Sequence, residues 1–377
     1  MIKDPVAPTS ELAIFLPSFE GGGAERVAVI LANALAVRGH RVQLLVASDK
    51  GPNRAAVLAA VSVLSFNRRH VRSCVVPLAR WLRSERPYVL LSMMSHANLV
   101  AIAASCLSRS PHRLVLSERT VASRSIANDR SLKGAIIAQG IRYAYGLADA
   151  VVAVSASVAR DLAQTYGLDE SLLRVVYNPV DIDRVRAQAA QECDAPWWSA
   201  PHVPIILSVG RLTPEKDHLT LLGAFAKVRQ KVRARLVILG EGELRVALEG
   251  RCRALGLQED VLLPGFATNP YAAMARAHCF VLSSAWDGFP NVLVEVAALG
   301  TPIVATDCPG GTREILGGVE GAELVPVGDV HAMSEAIKGA LHRSRPVVAL
   351  ARRAEFFSVA NAVAAYEDVL GVGRERG

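Results

Sequence analysis

Ile205-Ile206-Leu207-Ser208-Val209-Gly210-Arg211-Leu212-Thr213-Pro214-Glu215-Lys216-Asp217-His218 reads as a strand, a turn and the start of a helix. A short apolar run rich in β-branched residues fits a strand covered on both faces, and Gly210 and Pro214 interrupt it. Helical spacing then runs from His218 to Arg229. The same order recurs outward in both directions. Upstream, strand-like runs occur at Leu12–Leu16, Val42–Ala47, Val61–Ser65, Tyr88–Ser92, Leu114–Ser117, Ala150–Val154 and Leu173–Val176. Downstream they occur at Leu236–Leu239, Val261–Leu263, Cys279–Leu282, Ile303–Ala305 and Glu323–Val325. Helical segments such as Ala24–Arg38, Ser155–Tyr166, Leu244–Leu255 and Val292–Leu299 separate them. This alternation predicts an α/β protein of parallel sheets with helices on both faces. Each half holds enough strands for its own doubly wound, Rossmann-like sheet.

The 377 residues suit two domains of roughly 150–200 residues each. Prolines at 179, 196, 201 and 204 mark the break, so residues 1–183 form an N-terminal domain, 184–203 a linker with a polar helix, and 204–355 a C-terminal domain. In such sheets ligands bind beyond the carboxyl ends of the strands, so a cleft between two facing sheets is the expected active site. Hydrophobic residues make up 51% and charged residues 20%, which excludes a disordered chain. Met1–Ser10 lacks the apolar segment of a signal peptide. Val89–Leu107 carries Ser92, Ser95, His96, Asn98 and Ser105 and splits into a strand and a helix, which argues against a membrane span. The six cysteines form no CxxC pair and read as small buried hydrophobes in a reducing, cytoplasmic compartment.

Charge is uneven. Residues 1–180 hold 21 Lys and Arg against 12 Asp and Glu, a surplus of nine, whereas the remainder is nearly balanced. Arg68, Arg69, Arg72, Arg80, Arg83 and Arg86 form one basic group, and Arg119, Arg124, Arg130 and Lys133 a second. A one-sided basic surface suggests an anionic partner, such as lipid head groups or a diphosphate-bearing substrate; the alternative is an ordinary solvated surface. No aromatic platform accompanies the arginines, which argues against nucleic acid.

Five Gly-rich or charged turns follow strands. Gly21-Gly22-Gly23-Ala24-Glu25-Arg26 opens the first helix, where glycines let a diphosphate approach the helix N-terminus, or simply make a tight turn. It fails the dinucleotide pattern GxGxxG at Arg26. In Gly210–Asp217, Arg211 and Lys216 can clamp a diphosphate and stabilise its charge on departure; the alternative is a solvated basic loop. Gly240-Glu241-Gly242-Glu243 carries glutamates that repel a pyrophosphate, so it reads as a lining turn. Asp287-Gly288-Phe289-Pro290-Asn291-Val292-Leu293-Val294-Glu295 is the most informative stretch. Pro290 starts a helix whose first free N–H groups suit phosphate oxygens. Asp287 can accept from sugar hydroxyls. Glu295 lies in so apolar a helix that its carboxylate needs a partner, such as two ribose hydroxyls. Asp307–Glu314 is a further turn beside these.

Taken together, these motifs resemble the GT-B glycosyltransferases, in particular the retaining family 4. The resemblance spans nearly the whole chain: GGGAER at 21–26, SER at 117–119, NPVD at 178–181, GRLTPEKD at 210–217, GEGE at 240–243, DGFPNVLVE at 287–295 and CPGGTREIL at 308–316. It implies two Rossmann-like domains facing across a cleft, and transfer of a hexose or N-acetylhexosamine from a UDP- or GDP-sugar to a glycan or polyprenyl-diphosphate-linked acceptor. The process would be bacterial surface polysaccharide or lipopolysaccharide assembly. It assigns Asp287 to the sugar, Glu295 to the ribose, and Arg211 and Lys216 to the diphosphate. Gly22, Gly23, Gly210, Gly288, Phe289, Asn291, Val292 and Leu293 would complete the donor site. Asp287 stands where the family more often has Glu. Many relatives carry a histidine after an N-terminal-domain strand; here Leu116-Ser117-Glu118-Arg119 has none, and Glu118 or Arg119 takes that place, with His96 as a substitute. Glu118 would then be catalytic, and Arg119 and Arg124 would bind the acceptor. The resemblance implies no metal or other cofactor, a final segment 356–377 returning to the N-terminal domain, and peripheral contact with an anionic membrane. Its alternatives are a nucleotide-sugar epimerase on the same fold and a non-catalytic binder of sugar nucleotides.

Overall fold

The computed structural model describes residues 12–20, 22–128, 131–193 and 203–372, the side chain of residue 133 aside. Met1–Ser10, Gly21, Arg130, Pro196 and Pro201 lie outside the described residues. The chain divides into two compact units, residues 1–179 with 359–377, and residues 180–358.

The first unit holds seven strands: β1 Leu12–Leu16, β2 Val42–Val46, β3 Ser62–Ser65, β4 Val89–Met93, β5 Arg113–Glu118, β6 Ala150–Ala153 and β7 Leu173–Val175. They form one sheet in the order β3-β2-β1-β4-β5-β6-β7, with every pairing parallel. All five side chains of β1 are buried, as a central parallel strand requires. The helix Gly23–Val37 buries Val27, Ala28, Leu31, Ala32 and Leu35, a stripe at helical spacing that packs on this sheet. Ser155 caps the helix Ala156–Tyr166 by accepting from the Val158 N–H, and Gly167, at φ +72°, ends it. The last helix, Val359–Leu370, packs against Gly23–Val37. Its Glu367 pairs with Arg38 at 2.8 Å and His40 at 2.9 Å.

The second unit has six strands: β8 Ile205–Val209, β9 Arg235–Leu239, β10 Val261–Gly265, β11 Cys279–Leu282, β12 Ile303–Thr306 and β13 Ala322–Val325. Their order is β10-β9-β8-β11-β12-β13, again wholly parallel. In both sheets chain order reverses beside the first strand, at β1/β4 and at β8/β11. These are the topological switch points, where strand-end loops diverge and leave room for a ligand.

Part of the expected linker belongs to the second unit. The helix Ile182–Ala189 packs on the helices Tyr271–Arg276 and Asn291–Ala298. Asn269 Nδ2 donates to Gln188 O at 2.9 Å, which ties it down. Residues 356–358 also stay with this unit, since the Val180 N–H donates to Phe357 O at 3.0 Å.

Cys74, Cys252, Cys279 and Cys308 are buried, but Cys106 is exposed and Cys193 partly so. Cys106 therefore departs from the expectation: it falls on the solvent face of the helix Ser95–Ser108, where burial follows the helix face and not the local apolar run. Among the described residues no helix is long and apolar enough to cross a membrane.

Candidate functional site

Four loops meet at the carboxyl ends of the second sheet, and glycines let their backbones touch. Gly240, after β9, has φ +145°, and a Cβ there would lie 1.9 Å from Gly210 O. The Gly210 N–H donates to Leu239 O at 3.0 Å, the Leu212 N–H to Glu241 O at 2.9 Å, and the Leu244 N–H to Leu212 O at 2.9 Å. Gly310, after β12, has φ +125°, and a Cβ there would lie 1.6 Å from Asp287 O. The Asp287 N–H donates to Pro309 O at 3.0 Å, and the Gly311 N–H to Asp287 O at 3.2 Å. The turns read as lining elements thus act as backbone clamps on Arg211–Leu212 and on Asp287.

The β8 loop is also tied to the β11 loop. Ser283 Oγ donates to Lys216 O at 2.8 Å, and the Ala285 N–H donates to Glu215 O at 2.8 Å. Asp217 sits at φ +41°, its carboxylate accepting from the Thr220 N–H at 3.2 Å and the Thr220 hydroxyl at 2.6 Å. That cap aims Lys216 back across the sheet end. The Lys216 ammonium pairs with the Asp287 carboxylate, each side chain only 16% exposed. Sequence assigned Lys216 to the diphosphate and Asp287 to the neighbouring sugar; the fold brings the two side chains into contact.

Arg211 shares the loop with Lys216 but lies apart from that pair. Its side chain is 72% exposed and reaches Glu215 at 2.7 Å. His218, to which sequence gave no role, fixes the Arg211 backbone instead: its Nε2 lies 3.2 Å from Arg211 O. Burial pulls the His218 pKa down to about 4, so the ring is neutral at pH 7, and with Nε2 protonated it donates to that carbonyl. The only sequence signal was a histidine at the start of an otherwise apolar helix, directly after the charged loop.

The helix Asn291–Ala298 follows Asp287, Gly288, Phe289 and Pro290. Phe289 is buried, edge-on to Phe357 at 5.4 Å between ring centroids. Asn291 and Val292 are partly exposed at the first turn, and the Val292 N–H has no acceptor within the helix. Leu293 differs from the expectation: its side chain is buried and its N–H is spent on Pro290 O at 2.9 Å. Glu295 is 4% exposed, and the Tyr271 hydroxyl donates to Glu295 Oε1 at 3.4 Å. It lies eight residues beyond Asp287 on the side of the helix that faces inward.

In the first unit, Gly22 precedes the helix Gly23–Val37 in extended conformation, its N–H donating to Glu20 O at 2.8 Å. Glu118 requires a correction. It ends β5 only 1% exposed, and both of its oxygens are engaged within the protein. Ser95 Oγ donates to Oε1 at 2.8 Å, the Arg119 N–H to Oε1 at 3.2 Å, and Tyr145 Oη to Oε2 at 2.9 Å. Burial raises its pKa despite these bonds. Glu118 is therefore a framework carboxyl that joins the ends of β4 and β5, not a group open to a reacting sugar. Asn98 extends the network, its Nδ2 donating to Ser117 O at 3.1 Å and to Tyr145 Oη at 3.0 Å.

Arg119 is half-buried and held by neutral oxygens, Ser117 Oγ at 3.3 Å and Asn178 Oδ1 at 2.5 Å. Among the described residues no carboxylate pairs with it. A fixed guanidinium with spare N–H donors and no counter-charge is suited to an anion. Arg124 is exposed, as are all six arginines of the other basic group. Among the described residues no group of three or more His, Cys, Asp or Glu is placed to hold a metal.

Two family models match the chain: Glycosyltransferase Family 4 over residues 21–184 and Glycosyl transferases group 1 over residues 198–355. One relative is the Campylobacter jejuni N-acetylgalactosamine-N,N'-diacetylbacillosaminyl-diphospho-undecaprenol 4-alpha-N-acetylgalactosaminyltransferase, 30% identical over 346 residues, covering 87% of this chain and 89% of that protein. Another is the Rhizobium meliloti lipopolysaccharide core biosynthesis glycosyltransferase LpsE, 27% identical over 84% of this chain and 85% of that one. Among solved structures, Anabaena HepE in complex with UDP-glucose superimposes with a TM-score of 0.79 at 18% identity, over 96% of this chain and 99% of that one. WaaG, a glycosyltransferase involved in lipopolysaccharide biosynthesis, gives 0.73 at 15% identity, over 96% of this chain and 100% of that one.

Proposed function

Because the chain belongs to the group 1, family 4-like glycosyltransferases and has their GT-B fold, we propose that it transfers a hexose or N-acetylhexosamine from a UDP- or GDP-sugar to a lipid-diphosphate-linked glycan, with retention at the anomeric carbon. The single observation that carries this reading is the pairing of Lys216 with Asp287 at the β8/β11 switch point of one sheet, with Glu295 buried in the helix that follows. The Campylobacter relative is named for a diphospho-undecaprenol-linked acceptor, which supports a lipid-linked acceptor.

In this reading the diphosphate lies against Lys216 and the first turn of the helix Asn291–Ala298, where the Val292 N–H and the helix dipole favour negative charge. Arg211 exchanges Glu215 for a phosphate oxygen. Glu295 accepts from the ribose hydroxyls. Asp287, oriented by its salt bridge with Lys216, accepts from hydroxyls of the transferred sugar. The bond between the anomeric carbon and the diphosphate oxygen breaks as the acceptor oxygen bonds to that carbon on the same face. The acceptor's proton passes to the departing diphosphate, so no protein base is required. The cations Lys216 and Arg211 stabilise the charge that develops, the part a metal plays elsewhere. The acceptor's own diphosphate meets Arg119, which pairs with no carboxylate among the described residues, and Arg124.

The enzyme works in the cytoplasm on bacterial surface polysaccharide or lipopolysaccharide, with its exposed arginines on an anionic membrane. The test is transfer from a panel of UDP- and GDP-sugars to a prenyl-diphosphate-linked glycan, with Glu295→Ala alongside. Product with one donor that disappears in the variant supports the assignment; an unchanged rate in Glu295→Ala removes it.

A further inference from the structure

A pocket of about 50 Å³ opens in the first unit where the loops after β4 and β5 meet the helices Ala122–Asn128 and Leu132–Ala144. On the same measure a single water needs only about 10–15 Å³, so the space is large enough for a small substituent of several heavy atoms. Its wall is divided. Ala122, Ile126 and Ile137 are apolar, whereas Ser95, Thr120 and Ser125 are hydroxyl-bearing.

The hydroxyls are not equivalent. Ser95 gives its proton to the buried Glu118 at 2.8 Å, so toward the pocket it offers only lone pairs and acts as an acceptor. Glu118 is itself fixed by Tyr145, which keeps this direction of donation in place. The Thr120 and Ser125 hydroxyls make no hydrogen bond among the described residues, so each can donate into the pocket. The pocket therefore presents one acceptor, two donors and an apolar face in a small volume.

We propose that this pocket is an acceptor subsite for an acetamido group. The amide N–H donates to Ser95 Oγ, the carbonyl oxygen accepts from Thr120 or Ser125, and the methyl packs on Ile126 and Ile137. A plain sugar hydroxyl in its place leaves the apolar face unfilled and one of the polar partners unmet. The inference rests on the reading of the first unit as the acceptor domain. Arg119, the anion-ready guanidinium, immediately precedes Thr120 in the chain, so one short segment holds both a phosphate and a neighbouring N-acetyl sugar.

The experiment compares two acceptors that share one short prenyl diphosphate, one bearing N-acetylgalactosamine and the other galactose, with the donor that the full chain turns over. The wild type should favour the acetamido acceptor in kcat/KM by about tenfold or more, the scale set by a missing methyl in an apolar pocket. Thr120→Val with Ser125→Ala should lower that ratio by about tenfold. Ile126→Phe, which fills the space, should lower it independently, so the result does not rest on one variant folding. Equal use of both acceptors by the wild type, or a ratio that neither variant moves, overturns the subsite and leaves the glycosyltransferase reading standing. Transfer to neither acceptor, with donor bound, overturns both the acceptor reading and the subsite.

Discussion

Replacing Lys216 with Met separates the two roles that the structure gives this side chain. The ammonium is paired with Asp287, and both side chains are 16% exposed. Exposed pairs contribute 0–1 kcal/mol, whereas breaking a fully buried pair costs about 3–5 kcal/mol. A pair at this depth lies between, so Lys216→Met should cost about 2 kcal/mol, mainly because Asp287 is left without a counter-charge. For a unit of this size that is a fall of about 4–8 °C in melting temperature. The effect on transfer should be larger. Losing one preorganised charge on a departing diphosphate costs about 10²–10³ in kcat. Asp287→Asn added to Lys216→Met should recover part of the melting temperature, because no unpaired charge then remains, but none of the rate. Calorimetry and a radiolabelled transfer assay on the three variants make the comparison. A rate loss below tenfold in Lys216→Met, or recovery of rate in the double variant, would refute the assignment of Lys216 to the leaving group.

His218 titrates at about 4 in the folded protein against an ordinary value near 6.5. The unfolded chain therefore binds the proton first, and the stability this neutral ring supplies is complete above pH 6.5 and lost as pH falls toward 4. That loss amounts to about 3 kcal/mol, and His218→Gln should flatten the corresponding part of the melting curve between those pH values; parallel curves would contradict it. Glu118 gives the opposite sign. Its folded pKa is raised by burial, so its contribution is complete below the unfolded value and falls as pH rises through the folded one, and Glu118→Gln should be more stable relative to wild type at pH 8 than at pH 5. Excess chelator should leave transfer within twofold if Lys216 and Arg211 carry the diphosphate charge; a tenfold loss, restored by a divalent cation, would transfer that role to a metal. The exposed arginines at 68, 69, 72, 80, 83 and 86 should bring the protein up with anionic liposomes but not neutral ones, each residue contributing about 1 kcal/mol at the surface, and equal flotation would remove the membrane from the account.

Much of the fold is legible because strand identity is local here. Runs such as Leu12–Leu16 and Cys279–Leu282 are buried on both faces, and such strands announce themselves by continuous apolar residues closed by a turn. The site is legible in part for the same reason, since turn chemistry marks the carboxyl end of each strand. Partnerships are another matter. Lys216 and Asp287 are 71 positions apart and meet only because β8 and β11 are sheet neighbours. Glu118 looks available in Ser-Glu-Arg; it is closed off by Ser95 and Tyr145, which come from 23 positions before and 27 after. His218 and the clamping glycines at 240 and 310 follow the same pattern: residue type was visible, whereas the backbone each one touches was set by sheet order.

The most direct test of the central claim is the thermal stability of the full chain with each of a set of UDP-, GDP- and ADP-sugars, measured for the wild type and for Glu295→Gln. A ligand bound only by the folded state adds RT ln(1 + [L]/Kd), so one nucleotide sugar at 100 times its Kd should add about 2.7 kcal/mol to the wild type and little to the variant. No shift with any nucleotide sugar, or the same shift in both proteins, would show that the carboxylate in the helix after β11 does not hold a sugar nucleotide.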